Sequence, residues 1–230
     1  MLVQHFFGLG ESSSVLAFDV ALHFGTLLAV VSVYRRDLWD MLTGKSWRLV
    51  FLVGLATVPA VLVGLTLKSF IEKTFVSPVE SAVELLVTGT ILWWTKRFQE
   101  GGRPEKQPAP GSALAVGAAQ AVAILPGISR SGMTIAAGLF CGFSRETAAR
   151  FSFLMSIPAI AGACLLEAKD LAQFPQSLWP HVLMGTAASA VTGFLSIRWL
   201  LGVISRGKLH YFAYYCWGIG LAALLALLFF

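Results

Sequence analysis

Apolar residues run almost without interruption through 15–34, 47–67, 79–95, 148–166, 181–200 and 209–230, and the charged residues gather mostly between these runs. Each run approaches the roughly 20 residues that a helix needs to cross a hydrocarbon core, so the pattern predicts six spanning helices. Residues 111–140 are different. They are apolar at both ends but broken by Pro126-Gly127 and a polar cluster, which predicts two half-length helices around an irregular loop. Such backbone survives at membrane depth only inside protein or beside a water-filled cavity, so a hairpin that enters and returns is expected.

The basic residues bear on that reading. Segments 35–48, 96–106, 141–150 and 198–208 hold thirteen lysines and arginines, whereas 68–78 and 167–180 hold only Lys68, Lys73 and Lys169. Cytoplasmic connections carry the basic excess, which places the first set in the cytoplasm. The assignment works only if 111–140 starts and ends on the same side. The stretch 99–112, rich in Gly, Pro and charge, forms its solvated approach.

Composition agrees with the pattern. Of 230 residues 57% are hydrophobic and 13% charged, with a mean hydropathy of +0.75, far from the balance of a soluble domain. The chain reads as one membrane domain. A net charge of +5 would suggest nucleic acid in a soluble protein, but here the basic residues punctuate apolar runs, and nucleic-acid binding is rejected. Cys141, Cys164 and Cys216 are odd in number and far apart, which indicates packing residues and neither a disulfide framework nor a zinc site. The first strongly apolar run carries Asp19 and His23 and lacks a basic start, so no cleavable signal is expected.

Chemistry concentrates in Leu125-Pro126-Gly127-Ile128-Ser129-Arg130-Ser131-Gly132-Met133-Thr134. Gly127 and Gly132 let the backbone turn tightly and approach a ligand, and Ser129, Ser131 and Thr134 offer short hydroxyl donors. Arg130 offers a planar fork that fits phosphate oxygens two at a time. A helix opening at Ser131 or Gly132 adds free N–H groups and a positive dipole end. The stretch reads as a phosphate cradle. An arginine at depth costs at least about 2.5 kcal/mol unless paired or hydrated, so the competing reading is a salt bridge from Arg130 to Asp19 or Glu84.

Other polar positions are weighed the same way. Gln120, near the inner leg of the hairpin, is a candidate to bond the loop backbone or a substrate. Asp19 and His23 share a helix face inside a span and are candidates to line a site, against the plainer reading of a buried polar pair. Glu80 and Glu84 spell E-x-x-x-E on one face, but Pro78 marks a helix start where acidic residues suit the dipole, so a helix-start or cavity-facing role is expected. Arg145 and Arg150 read as orientation signals. His5, His181 and His210 have no partner at metal-ligand spacing.

A weak internal repeat is also visible. Aligning Phe18 with Phe151 brings Gly25 onto Pro158 and Ala29 onto Gly162, and places the Gly8-Leu9-Gly10 turn close to Gly142-Phe143-Ser144. Three spans separate the copies, so 1–110 and 111–230 are expected to be inverted repeats, with a site near the midplane where broken helices meet.

Pro126, Gly127, Ser129, Arg130, Ser131 and Thr134 resemble the P-G-x-S-R-S-x-x-T signature of the undecaprenyl-diphosphate phosphatase family, also called the bacitracin-resistance phosphatases. The likeness continues through Gln120, Gly142-Phe143-Ser144-Arg145, Phe151-Ser152-Phe153-Leu154, Pro158 and Gly162, and through Phe18 to Thr26. The resemblance implies an all-α polytopic protein of the bacterial inner membrane, an inverted-repeat helical bundle with a re-entrant helix-loop-helix hairpin. It implies hydrolysis of a polyprenyl diphosphate to the monophosphate and inorganic phosphate, which recycles the lipid carrier of cell-wall synthesis. Arg130 and Ser129 would then be catalytic, with Gly127, Ser129, Arg130, Ser131, Gly132 and Thr134 around the phosphates and Gln120, His23 and Asp19 as candidate lining. A divalent cation, Mg2+ or Ca2+, is the family's expectation, with no ligands assigned, and nothing in the sequence sets an oligomeric state.

One departure qualifies the carry-over. The family has an N-terminal hairpin with an E-x-x-x-E run, a proline, serines and a histidine, and Met1 falls just after that point. The expectation is a late start within a longer protein, with a truncated homologue as the other reading. Two rival functions follow: a transporter or flippase for a phosphorylated lipid, suggested by the repeat and a midplane anion site, and an inactive lipid-phosphate binder.

Overall fold

The computed structural model describes residues 13–74, 78–99, 108–125, 127–172 and 179–229, with side chains described throughout except at 13–19, 68–74, 99, 166–172 and 229. Its regular elements are all helices: α1 Ser13–Val33, α2 Arg35–Leu42, α3 Trp47–Thr74, α4 Pro78–Trp94, α5 Lys96–Gln99, α6 Pro110–Val122, α7 Arg130–Phe140, α8 Arg145–Ala172, α9 Trp179–Ser205 and α10 Tyr211–Phe229. Among the described residues, four stretches are long and apolar enough to cross a membrane: Trp47–Leu67, Arg145–Leu165, Trp179–Ser205 and Tyr211–Leu228. Of the other two expected spans, α1 runs 21 residues and is apolar over the part whose side chains are described, Val20–Val33, whereas α4 has 17 residues and carries Glu80 and Glu84.

Close approach of backbones holds the helices together, as expected where lipid supplies no hydrophobic drive between them. A Cβ on Gly25 of α1 would fall on the Thr186 carbonyl oxygen of α9, and one on Gly117 of α6 would fall on the Ala56 carbonyl oxygen of α3. Side chains add bonds across the α1–α9 contact. Ser189 Oγ donates to the Leu22 carbonyl at 2.7 Å, and Thr186 Oγ1 donates to that of Ala21 at 3.2 Å. Between α4 and α10, Trp217 Nε1 donates to the Leu86 carbonyl at 3.2 Å. The core joins Val30, Ala56, Val116, Ile135, Phe151, Leu154 and Met155, while Leu62, Leu65, Val191, Leu195 and Leu225 stay exposed on lipid-length helices.

The expected hairpin is present as α6 and α7, which pack on each other around residues 123–129. At 13 and 11 residues the two helices are about 20 and 17 Å long, too short to cross a core of about 30 Å. Both ends lie at one end of the bundle. Arg48 Nη2 donates to the Pro108 carbonyl at 3.1 Å before α6, and Phe140 at the close of α7 packs on Phe98 with ring centroids 4.7 Å apart. Just beyond, Arg150 pairs with Asp37, and Arg145 Nη1 donates to the Ser205 carbonyl at 3.3 Å. The segments that the basic-residue count assigned to one side therefore meet there, edged by exposed Trp39, Trp47, Trp94, Trp199 and Tyr211.

Candidate functional site

The loop between α6 and α7 is shaped by a few local choices. Gly127 has φ +108°, a conformation open to glycine, and a Cβ there would sit 2.7 Å from the Ser81 carbonyl oxygen and 2.8 Å from Glu84 Oε2. The loop thus lies directly on α4. Ser129 N–H reinforces this, donating to Thr88 Oγ1 at 3.3 Å. α7 then opens at Arg130, not at Ser131 or Gly132 as expected, because Ser129 takes the N-cap: its backbone is extended and its Oγ accepts from Gly132 N–H at 3.2 Å. The start of α7, with its positive dipole end, is directed by that cap.

Charge and burial single out three side chains. Arg130 is half-buried, and its Nη1, fully buried, has no hydrogen-bond partner among the described residues. Gln120 is 2% exposed, with neither amide atom bonded. Glu84 is 9% exposed and its Oε2 is likewise unpartnered. Buried polar groups are normally satisfied, so three orphans on or against one hairpin mark a place prepared for something polar. No described ion pair joins Arg130 to Glu84, which removes half of the competing salt-bridge reading; the side chain of Asp19 lies outside the described residues.

The remaining sequence candidates divide. Gly132 is buried behind the Ser129 cap, and Ser131 is half-buried on the first turn of α7. Thr134 is 1% exposed and its hydroxyl is engaged with Ser152 Oγ at 2.6 Å and with the Arg130 carbonyl at 2.8 Å, so it faces α8. His23 is exposed on α1, the helix that packs on α8 and α9. Pro126 lies outside the described residues. Sequence reasoning missed Ser81, Thr88 and Ser152 as supports of the hairpin, and gave Glu84 only a helix-start or cavity-facing role. The signal for Glu84 was its i, i+4 spacing from Glu80 within an apolar helix; for the hydroxyls there was none. No group of three or more His, Cys, Asp or Glu able to hold a metal ion occurs among the described residues.

Residues 1–222 match the family model described as "Bacitracin resistance protein BacA". The chain belongs to the BacA family. Its similarity to individual relatives extends over most of their length. It is 38% identical to the undecaprenyl-diphosphatase of Desulforapulum autotrophicum, covering 98% of this chain and 89% of the relative, and 41% identical to that of Desulfosudis oleivorans, covering 96% and 87%. It is 46% identical to the undecaprenyl-diphosphatase of Methanothermobacter thermautotrophicus, covering 77% of this chain and 99% of that one.

Proposed function

We propose that the chain hydrolyses undecaprenyl diphosphate to undecaprenyl phosphate and inorganic phosphate at the α6–α7 loop, within the bacterial cell membrane. The observation that carries the reading is Arg130, half-buried at the start of α7 with an unpartnered Nη1, in a chain whose relatives are undecaprenyl-diphosphatases. The rival transport and inactive-binder readings are not favoured by those names. Arg130 would bind the diphosphate through its fork, with Ser129 and Ser131 hydroxyls and the α7 N-terminus beside it. The isoprenoid tail would lie along the exposed apolar helices.

Phosphoryl transfer asks the protein mainly for positioning and for neutralisation of the phosphate charge. Water attacks the terminal phosphorus and gives up a proton to solvent, the bond from that phosphorus to the bridging oxygen breaks, and the departing undecaprenyl phosphate keeps the electron pair. Arg130 stabilises the negative charge shared among these oxygens. No described carboxylate or imidazole bonds the Ser129 hydroxyl, so we assign it as cap and phosphate donor in place of nucleophile. Thr134 braces the hairpin against α8, and Gln120 offers its free amide to the loop or to substrate. The Mg2+ or Ca2+ that the resemblance implies would find too few ligands among the described residues, where Glu84 offers a carboxylate against the loop.

What further supports a two-fold arrangement is the pairing of α1 with α8 and of α4 with α10, since the repeat alignment makes each the counterpart of the other. The test is phosphate release from a polyprenyl diphosphate in membranes carrying the protein. Arg130→Ala should lose at least about a hundredfold, the scale of losing one preorganised donor. Arg130→Lys should recover only part, because a point charge cannot reproduce the bidentate fork. Full activity in Arg130→Ala would remove the arginine from the site.

A further inference from the structure

A cavity of about 250 Å³ opens at the basic end of the bundle, lined on its polar side by Ser46, Arg48, Thr147 and Arg150 and on its buried apolar side by Leu52 and Phe151. It is separate from the α6–α7 loop. Pro108, which precedes α6, also lines it, and the 13 residues of α6 put about 20 Å between it and residues 123–129. Its volume equals about eight waters at ~30 Å³ each, enough for a phosphate with part of its attached alcohol.

The charged side chains that line it are two arginines, Arg48 and Arg150. Arg48 gives one N–H to the Pro108 carbonyl, and a guanidinium has five. Arg150 is paired with Asp37, and the Glu146 carboxylate, exposed in the first turn of α8, is not among the lining residues. Around these side chains three helices begin: α3 at Trp47, α6 at Pro110 and α8 at Arg145. Ser46 occupies the cap position of α3, its carbonyl accepting from Leu49 and Val50 N–H at 2.9 and 3.2 Å. Ser144 caps α8 through Thr147 N–H at 3.1 Å. The positive ends of three helices thus lie near the Arg48 guanidinium, the Asp37-paired Arg150 and two hydroxyls. Exposed Trp39 and Trp47, near in sequence to Asp37, Ser46 and Arg48, suit the level where lipid headgroups meet water.

We infer that this cleft is a second anion site, distinct from the hairpin, that takes a phosphate group. The group is either the headgroup of an anionic phospholipid, recognised as basic pockets between membrane helices recognise such lipids, or free inorganic phosphate. The inference does not rest on the diphosphatase reading.

The experiment uses the purified protein carrying Arg130→Ala, so that the hairpin does not contribute. In non-ionic detergent it is titrated calorimetrically with inorganic phosphate, with short-chain phosphatidylglycerol and with short-chain phosphatidylcholine. Saturable binding is expected, weakened about five- to tenfold by Arg48→Gln. Thr147→Val should weaken it to a smaller extent. Arg198→Gln, which removes a cation resting 5.6 Å from the Phe194 ring centroid outside the cleft, should change nothing. Binding of phosphatidylglycerol alone assigns the site to lipid, and equal binding of inorganic phosphate assigns it to the free anion. Absence of binding, equal affinity for phosphatidylcholine, or an equal loss in Arg198→Gln overturns the inference. If Arg48→Gln does not fold, undiminished affinity in Thr147→Val overturns it as well.

Discussion

Replacing Gly127 by alanine should damage the site while leaving the bundle assembled. At φ +108° an L side chain costs about 1–2 kcal/mol. Space makes it worse, because the new Cβ would stand 2.7 Å from the Ser81 carbonyl oxygen and 2.8 Å from both Ser81 Cα and Glu84 Oε2. Ordinary contact begins near 3.4 Å, so the loop must back away from α4 by about 0.7 Å. Two of the three obstructing atoms are backbone, so truncating Glu84 to alanine in the same chain should not relieve the strain. Arg130 is three residues along the loop and moves with it. A misplacement near 1 Å can cost about a hundredfold in rate, so turnover should fall roughly 10- to 100-fold. The assay is phosphate release from a polyprenyl diphosphate alongside thermal unfolding in detergent. Gly162→Ala is the control: nothing lies within 4 Å of its Cβ, and in the interior of α8 alanine should stabilise by roughly 0.5–1 kcal/mol. Wild-type turnover in Gly127→Ala would refute the claim that the loop is held by contact with α4.

Ser129→Asp should retain the α7 cap, and hence the melting temperature, while repelling the anion, whereas Ser129→Ala should lose about 1 kcal/mol of stability; similar turnover in Ser129→Asp and wild type would separate the cap from the phosphate site. Thr134→Val should destabilise by about 1–3 kcal/mol because it leaves the buried Ser152 hydroxyl without its 2.6 Å partner, and Thr134→Ser should restore stability, as read by thermal unfolding. Gly117→Ala should cost about 1–3 kcal/mol by forcing α6 off the Ala56 backbone, and an unchanged melting temperature would contradict that packing. Single cysteines at positions 108 and 145 should react with an impermeant reagent from the same face of the membrane, and labelling from opposite faces would contradict the hairpin.

Much of the architecture was written in one-dimensional pattern. Lipid demands about 20 apolar residues per span and tolerates few charges, so α3, α8, α9 and α10 stand out in the sequence by length and hydropathy alone. The hairpin was legible for the same reason in reverse, since a polar, glycine-bearing break cannot face lipid. Arg130 was legible because an arginine at that depth needs a purpose. Even the meeting of Arg48, Pro108, Arg145 and Arg150 at one end followed from counting basic residues.

What the pattern could not carry was pairing in space. Whether α7 opens at Arg130 or at Ser131 depends on which hydroxyl takes the cap, a choice settled by Thr88 of α4 holding the Ser129 N–H. Thr134 looked like its neighbours Ser129 and Ser131, yet helical rotation turns it inward onto Ser152. Glu84 left two roles open, at a helix start or facing a cavity, and only the docking of the hairpin brings Gly127 against its carboxylate. Hydropathy is a sum over local residues, so sequence alone determined the spans, the hairpin and the arginine. Hydrogen bonds between helices join residues 18 to 167 positions apart, so which hydroxyl, amide and carboxylate surround that arginine was decided only when the helices packed.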